Sequence, residues 1–169
     1  DDQEAISSII MIPTALILRT AGTNCDLELA HAFHCAGART QTVHLNRLLA
    51  EPHRLEQFDL IGVPGGFSYG DDIAAGRIFA NRLRHGLHDE LCAAVRRGTP
   101  IIGICNGFQV MVKMGLLPFF EGDFAEEVTV TDNESDRFEN QRLQCRGGCD
   151  LVQLQSHTAN HRSIRRDCC

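Results

Sequence analysis

Short apolar segments alternate with segments of helical spacing, and this alternation limits the fold more than any other feature of the sequence. The apolar or alternating segments, which predict strands, are residues 15–19, 40–45, 59–63 and 101–104. The segments that predict helices are residues 25–36, 83–97 and 106–114, and each is followed by glycine directly or within one residue. Thr23 or Asn24 is expected to cap the first helix. Strands joined through helices predict right-handed crossovers and a doubly wound, mostly parallel α/β sheet of the flavodoxin-like type.

Composition narrows the class of protein. The chain has 169 residues, enough for one domain with a sizeable core, and its net charge of -6 disfavours nucleic-acid binding. No apolar run approaches the roughly 20 residues that cross a bilayer. The first eight residues carry acids where a signal peptide would be basic, so we expect a cytoplasmic protein with eight reduced cysteines.

The sequence Gly103-Ile104-Cys105-Asn106-Gly107 stands between a predicted strand and a predicted helix. This is the thiol form of a nucleophile elbow, in which the reactive side chain sits on a sharp turn. Glycines flank such a turn because side chains would collide with neighbouring backbone. The helix start favours thiolate over thiol, and the amide after the cysteine faces a developing oxyanion. Alternatively, Cys105 is a small buried apolar residue, as an isolated cysteine usually is.

A second motif, Pro64-Gly65-Gly66-Phe67-Ser68-Tyr69-Gly70-Asp71-Asp72, follows the preceding strand. In parallel sheets the working site lies beyond the carboxyl ends of the strands, and both motifs fall there. The glycine pair lets backbone donors approach a substrate, although most such pairs are only turns. Tyr69, Asp71 and Asp72 have the composition of a surface loop.

These motifs resemble a known family. The stretch Gly103–Gln109 resembles the active-site signature of class I, or triad-type, glutamine amidotransferases. Pro64–Asp72, with Ala75-Gly76 behind it, and the opening Leu18-Arg19 with Gly22–Asp26 are similar to the stand-alone glutaminase subunits of phosphoribosylformylglycinamidine synthases. The likeness covers residues 12–139.

The resemblance implies hydrolysis of glutamine to glutamate and ammonia for de novo purine biosynthesis, with glutamine and a large synthase subunit, together with a small accessory subunit, as partners. It implies no metal or cofactor in this chain, because ATP and magnesium belong to the synthase. The implied site residues are Cys105 as nucleophile, Gly66 or Phe67 with Asn106 as oxyanion hole, and Gly65 and Gln109 as glutamine contacts. Two alternatives stay open: a catalytically impaired docking subunit of the same complex, and another cysteine hydrolase of this broad fold.

The family's histidine and glutamate, which lie two residues apart after the cysteine, have no counterpart here. The H-x-E of His88-Asp89-Glu90 precedes Cys105, and neither His157 nor His161 has glutamate at the second following position. We therefore expect impaired activity and a domain that is incomplete at its C-terminus, through truncation or an altered reading frame. Residues 1–11 and 140–169 are expected to be disordered or non-native, although Cys145, Cys149, His157 and His161 have spacings that resemble paired zinc ligands.

Overall fold

Four parallel strands form the central sheet of the computed structural model, which describes residues 11–71, 76–117, 124–126, 128–131 and 163–166. The strands are β1 (Thr14–Arg19), β2 (Arg39–His44), β3 (Leu60–Val63) and β4 (Ile101–Gly103). Their order is β2-β1-β3-β4, and each neighbouring pair is parallel. All four lie where the apolar pattern predicts them, and the predicted α/β fold is confirmed.

Helices connect these strands. They are α1 (Asp26–Cys35), α2 (Leu45–Ala50), α3 (Arg77–Gly86), α4 (His88–Arg96) and α5 (Asn106–Lys113), with a 3₁₀ turn at Pro52–Gln57. The single helix expected at residues 83–97 is wrong, because the backbone leaves helical geometry at Leu87 (φ -137, ψ 19). Leu87 is fully buried, so packing of its side chain overrides local helical periodicity.

The two faces of β1 belong to different layers of the core. Ala15 and Ile17 pack in the cluster that includes Leu29 and Phe33 of α1. Leu16, which lies between Ala15 and Ile17 in sequence, packs on the opposite face of the sheet. It belongs there to the larger cluster, together with side chains of the remaining helices. Because side chains alternate across a strand, both faces of β1 are apolar and covered. The sheet is therefore doubly wound.

The start of α1 differs from the expectation. Cys25 occupies the N-cap position and makes no capping bond, so neither Thr23 nor Asn24 caps the helix. Thr23 Oγ1 instead accepts from the Thr20 amide at 3.1 Å, and Asn24 Oδ1 accepts from the Cys25 thiol at 3.1 Å. Both side chains stabilise the turn after β1, a role that competes with capping for the same residue types.

Strands β5 (Val128–Thr131) and β6 (Ser163–Arg166) pair antiparallel in a separate two-stranded sheet. β6 lies within the tail for which the sequence predicts no regular structure, and these four residues form a strand there. The rest of that tail, including the four proposed zinc ligands, lies outside the described residues, as do residues 1–10 and Asp72. Among the described helices, none is both long and apolar enough to cross a bilayer.

Candidate functional site

Turns that follow β1, β3 and β4 carry the polar groups of the candidate site at the carboxyl edge of the sheet. The buried polar side chains of the described residues all lie at this edge; they are Thr20, Asp26, Ser68 and Asn106. Buried polar groups are costly unless they are bonded, so their concentration at one edge marks a site rather than a core.

Cys105 lies in a strained turn between β4 and α5. Its φ of 54 and ψ of -111 belong to a region that L-residues rarely adopt, and its side chain is exposed. The flanking glycines are required by space: a Cβ at Gly107 would lie 2.0 Å from the Val63 carbonyl oxygen, and one at Gly103 would lie 2.4 Å from Met111 Sδ. The predicted elbow geometry is therefore present, and an exposed, strained Cys105 does not fit the alternative of a buried apolar residue.

Gly65 brings the second motif directly against the elbow. A Cβ at Gly65 would lie 3.4 Å from Cys105 Cβ and 3.7 Å from Cys25 Sγ, so two cysteines flank the buried Gly65 backbone. Burial raises the pKa of the Cys25 thiol above its ordinary value, and the nearby charges of Glu28, Cys105 and Asp26 raise it further. These effects all favour the protonated form of Cys25 beside the candidate nucleophile.

The loop after β3 folds back onto the turn after β1. The Phe67 amide donates to the Gly22 carbonyl at 2.9 Å, and its ring is 63% exposed. Because this amide already has an acceptor, the structure disfavours Phe67 as an oxyanion donor. Gly66 stays a candidate donor. Its φ is 138, and a Cβ there would lie 2.7 Å from the Gly22 oxygen, so the position requires glycine.

The first turn of α5 carries the other two expected residues. Asn106 is 3% exposed, and its amide is at the first helical position, where the helix supplies no acceptor. Its side-chain Nδ2 donates to Gln109 Oε1 at 3.3 Å, which places the half-buried Gln109 one turn along the same face. The structure thus brings Gly65, Gly66, Cys105, Asn106 and Gln109 to one edge.

His88 does not belong to this group of residues. It begins α4, and its ring packs edge-on against Phe124 with centroids 5.0 Å apart. Within the described ranges, no cluster of three or more His, Cys, Asp or Glu side chains could hold a metal ion.

Sequence reasoning missed the polar contacts that support the site. Tyr69 was expected to have the character of a surface loop residue, and Ser68 was given no role of its own, yet Ser68 is 4% exposed and bonds to Asn106. Tyr69 bonds to the buried Thr20. Their position inside a motif at the carboxyl edge of the sheet could have suggested that Ser68 and Tyr69 belong to the site. No local sequence pattern predicts hydrogen-bond partners that are distant in the chain.

A doubly wound parallel sheet with a cysteine elbow after one strand and a glycine-rich loop after its neighbour defines the class of glutamine amidotransferase-like α/β proteins. A family model described as the CobB/CobQ-like glutamine amidotransferase domain matches residues 12–152. The chain belongs to this family.

Individual relatives agree with that assignment. The chain is 52% identical over 124 residues to phosphoribosylformylglycinamidine synthase subunit PurQ of Dehalococcoides mccartyi, covering 73% of this chain and 48% of the relative. It is 41% identical over 138 residues to the subunit of that name from Methanococcus maripaludis, covering 82% and 49%. The chain thus spans about half the length of these curated relatives.

A solved structure described as PurLQS from Thermotoga maritima contains a similar chain. The TM-score is 0.58 and the sequence identity 32%, and the match covers 78% of this chain and 54% of that one. The similarity extends to the folded backbone and not only to the motifs.

Proposed function

We propose that this chain carries the nucleophile and part of the glutamine-binding edge of a glutamine amidotransferase that supplies ammonia to a phosphoribosylformylglycinamidine synthase. The observation that carries the proposal is the position of Cys105. It is exposed, strained and adjacent to the Gly65 backbone at the carboxyl edge of the sheet. Strain of this kind concentrates where reactivity needs a fixed side-chain direction.

The chemistry begins with attack by Cys105 Sγ on the side-chain carbonyl carbon of glutamine. The carbonyl oxygen becomes an oxyanion, which the amides of Gly66 and Asn106 stabilise. The carbon–nitrogen bond then breaks, the nitrogen takes the proton that the Cys105 thiol gave up and leaves as ammonia, and a γ-glutamyl thioester remains. Water then adds to the thioester carbonyl, the carbon–sulfur bond breaks, and glutamate and the free thiol are released. Because the family's histidine and glutamate have no counterpart in this sequence, we expect this step to be slow in this chain. Gly65 and Gln109 contact the bound glutamine.

The use of the ammonia is inferred from the relatives. Those reported above are named as subunits of phosphoribosylformylglycinamidine synthase, and the similar structure is titled as an assembly, PurLQS. A large synthase subunit, with a small accessory subunit, is accordingly the proposed partner. It uses ATP and magnesium to convert formylglycinamide ribonucleotide to the amidine in purine biosynthesis, in the cytoplasm. The chain itself needs no cofactor for the thiol chemistry.

Covalent labelling tests the proposal without requiring full turnover. A glutamine analogue that carries a diazoketone in place of the amide should modify Cys105, and glutamine should protect it. Cys105→Ser should abolish labelling, whereas Cys35→Ser removes another exposed thiol, at the end of α1, and should leave labelling unchanged.

Two results would separate the alternatives. A folded chain that binds the large synthase subunit but is not labelled would indicate a docking subunit only. Labelling that glutamine does not reduce, with no binding to the synthase, would indicate a cysteine hydrolase with another substrate.

A further inference from the structure

We infer that Ser68 and Tyr69 are positioning residues that hold the Gly65–Gly66 backbone opposite Cys105. The inference rests on the proposed function and adds to it the residues that fix the geometry of the oxyanion site. Ser68 and Tyr69 come right after Gly65-Gly66-Phe67 in the chain, so their attachments help to fix the position of the loop after β3 relative to the elbow.

Ser68 ties the loop to the elbow. Its hydroxyl donates to Asn106 Oδ1 at 2.6 Å, and its amide approaches the same oxygen at 3.4 Å. Both side chains are buried, with 4% and 3% exposure, so water does not compete with this bond. Asn106 follows Cys105 in the chain, and its buried side-chain oxygen therefore links the two motifs.

Tyr69 ties the same loop to the other side of the site. Its φ of 57 and ψ of 29 are left-handed, which a residue with a Cβ adopts only when its surroundings hold it there. Its hydroxyl accepts hydrogen bonds from Thr20 Oγ1 at 2.7 Å and from the Arg82 guanidinium. Arg82 is held in turn by Asn46 Oδ1 at 2.8 Å.

The backbone completes this attachment. The Tyr69 amide donates to the Ala21 carbonyl at 2.9 Å, next to Thr20 at the end of β1. The loop is thus bonded through Tyr69 to the turn after β1 and through Ser68 to the start of α5. Gly65 and Gly66 lie just before these two attachments, and a Cβ at Gly65 would lie 3.4 Å from Cys105 Cβ. The Gly65 carbonyl also accepts from the Asn24 and Cys25 amides at 3.4 Å, so the loss of either side-chain hydroxyl should shift the glycine pair by only a fraction of 1 Å relative to the Cys105 sulfur.

The experiment compares two reagents on the full chain. The diazoketone glutamine analogue requires the shaped site, whereas iodoacetamide requires only an accessible thiol. We expect Ser68→Ala and Tyr69→Phe each to slow labelling of Cys105 by the analogue about 10-fold, because misplacement by a fraction of 1 Å weakens near-attack geometry. Labelling of Cys105 by iodoacetamide should change less than about twofold, because the thiol stays accessible.

Controls separate positioning from simple support of the fold. Thr99→Ala removes a hydroxyl at the amino end of β4, which has no hydrogen-bond partner among the described residues, and should leave both rates unchanged. The buried Cys92 reports unfolding, because iodoacetamide reaches it only when the core opens. Ser68→Ala and Tyr69→Phe should leave Cys92 unlabelled.

Three outcomes would count against the inference or its foundation. Equal analogue rates in wild type and both variants would overturn the positioning role. Labelling of Cys92 in both variants would show that the core has opened, so that Ser68 and Tyr69 would have a purely structural role. Failure of the analogue to label the wild-type chain would instead contradict the proposed function itself.

Discussion

Replacement of Gly107 by alanine tests how closely α5 must sit against the sheet. The Cβ of alanine would lie 2.0 Å from the Val63 carbonyl oxygen and 2.9 Å from the Pro64 oxygen. Both are backbone atoms at the end of β3, so no side-chain rotation relieves the contact. Helix and strand must separate by about 1 Å before the shorter distance reaches the limit that real Cβ atoms respect.

Two energy terms oppose each other in this variant. Alanine inside a helix is favoured over glycine by up to about 1 kcal/mol. Overpacking against immovable backbone costs about 1–3 kcal/mol and sometimes more. We expect the steric term to dominate, with a net loss of about 1–2 kcal/mol in the free energy of unfolding, because the contact is with backbone atoms that cannot rotate away. The same separation moves Cys105 relative to Gly66, and a 1 Å error in placement lowers reaction rates by about 100-fold.

The assay combines urea unfolding with the rate of Cys105 labelling by the glutamine analogue. Gly86→Ala is the matched control, because its new Cβ would lie 2.1 Å from Leu49 Cδ2, the end of a rotatable and only partly buried side chain. The free energy of unfolding of that variant should lie within about 0.5 kcal/mol of the wild-type value, and Cys105 should react with the glutamine analogue at the wild-type rate. If Gly107→Ala were as stable as wild type and were labelled at the same rate, α5 would not pack as closely against β3 as described.

Three further predictions follow from the site and the turn after β1. Gly66→Ala should lower analogue labelling of Cys105 at least about 10-fold, because its φ of 138 and the Gly22 oxygen at 2.7 Å exclude a Cβ; unchanged labelling would remove Gly66 from the site. Because the pKa of Cys25 is raised, its rate of labelling by iodoacetamide should rise at a higher pH than the rate for an ordinary thiol does. Cys105→Ser should move this pH–rate profile to lower pH. An unchanged profile would show that the two thiols do not interact. Asp26→Asn should lower the free energy of unfolding, measured in urea, by about 1 kcal/mol. The reason is that the buried side chain loses its negative charge, which lies 3.4 Å from the largely exposed Arg19 and next to the start of α1. An unchanged free energy would show that neither contact stabilises the fold.

Much of the sheet could be predicted from the sequence because apolar runs and terminating glycines are local signals. β1 and β4 begin and end within one residue of their predicted bounds, and α5 begins at Asn106 as expected. The break at Leu87 could not be predicted, because the burial that causes it depends on neighbours far along the chain.

The candidate site shows the same division. Cys105 and its glycines form a contiguous motif whose geometry follows from one turn. The bonds of Ser68 and Tyr69 join residues 38 and 49 positions apart, and nothing in the local sequence encodes such pairings. The engagement of the Phe67 amide by Gly22 likewise depends on how two loops meet, which only the folded chain reveals.

The positive φ at Cys105 destabilises the fold, while the same turn exposes the thiol that the proposed reaction needs. A residue with a Cβ at such a position costs the fold on the order of 1–3 kcal/mol. Glycine there would relieve that strain while removing the thiol, so Cys105→Gly is the substitution that makes the protein both more stable and inert. A search for thermostable variants of this chain that does not test activity should therefore accept substitutions that remove the nucleophile. The strain at Cys105 therefore persists only under selection for chemistry.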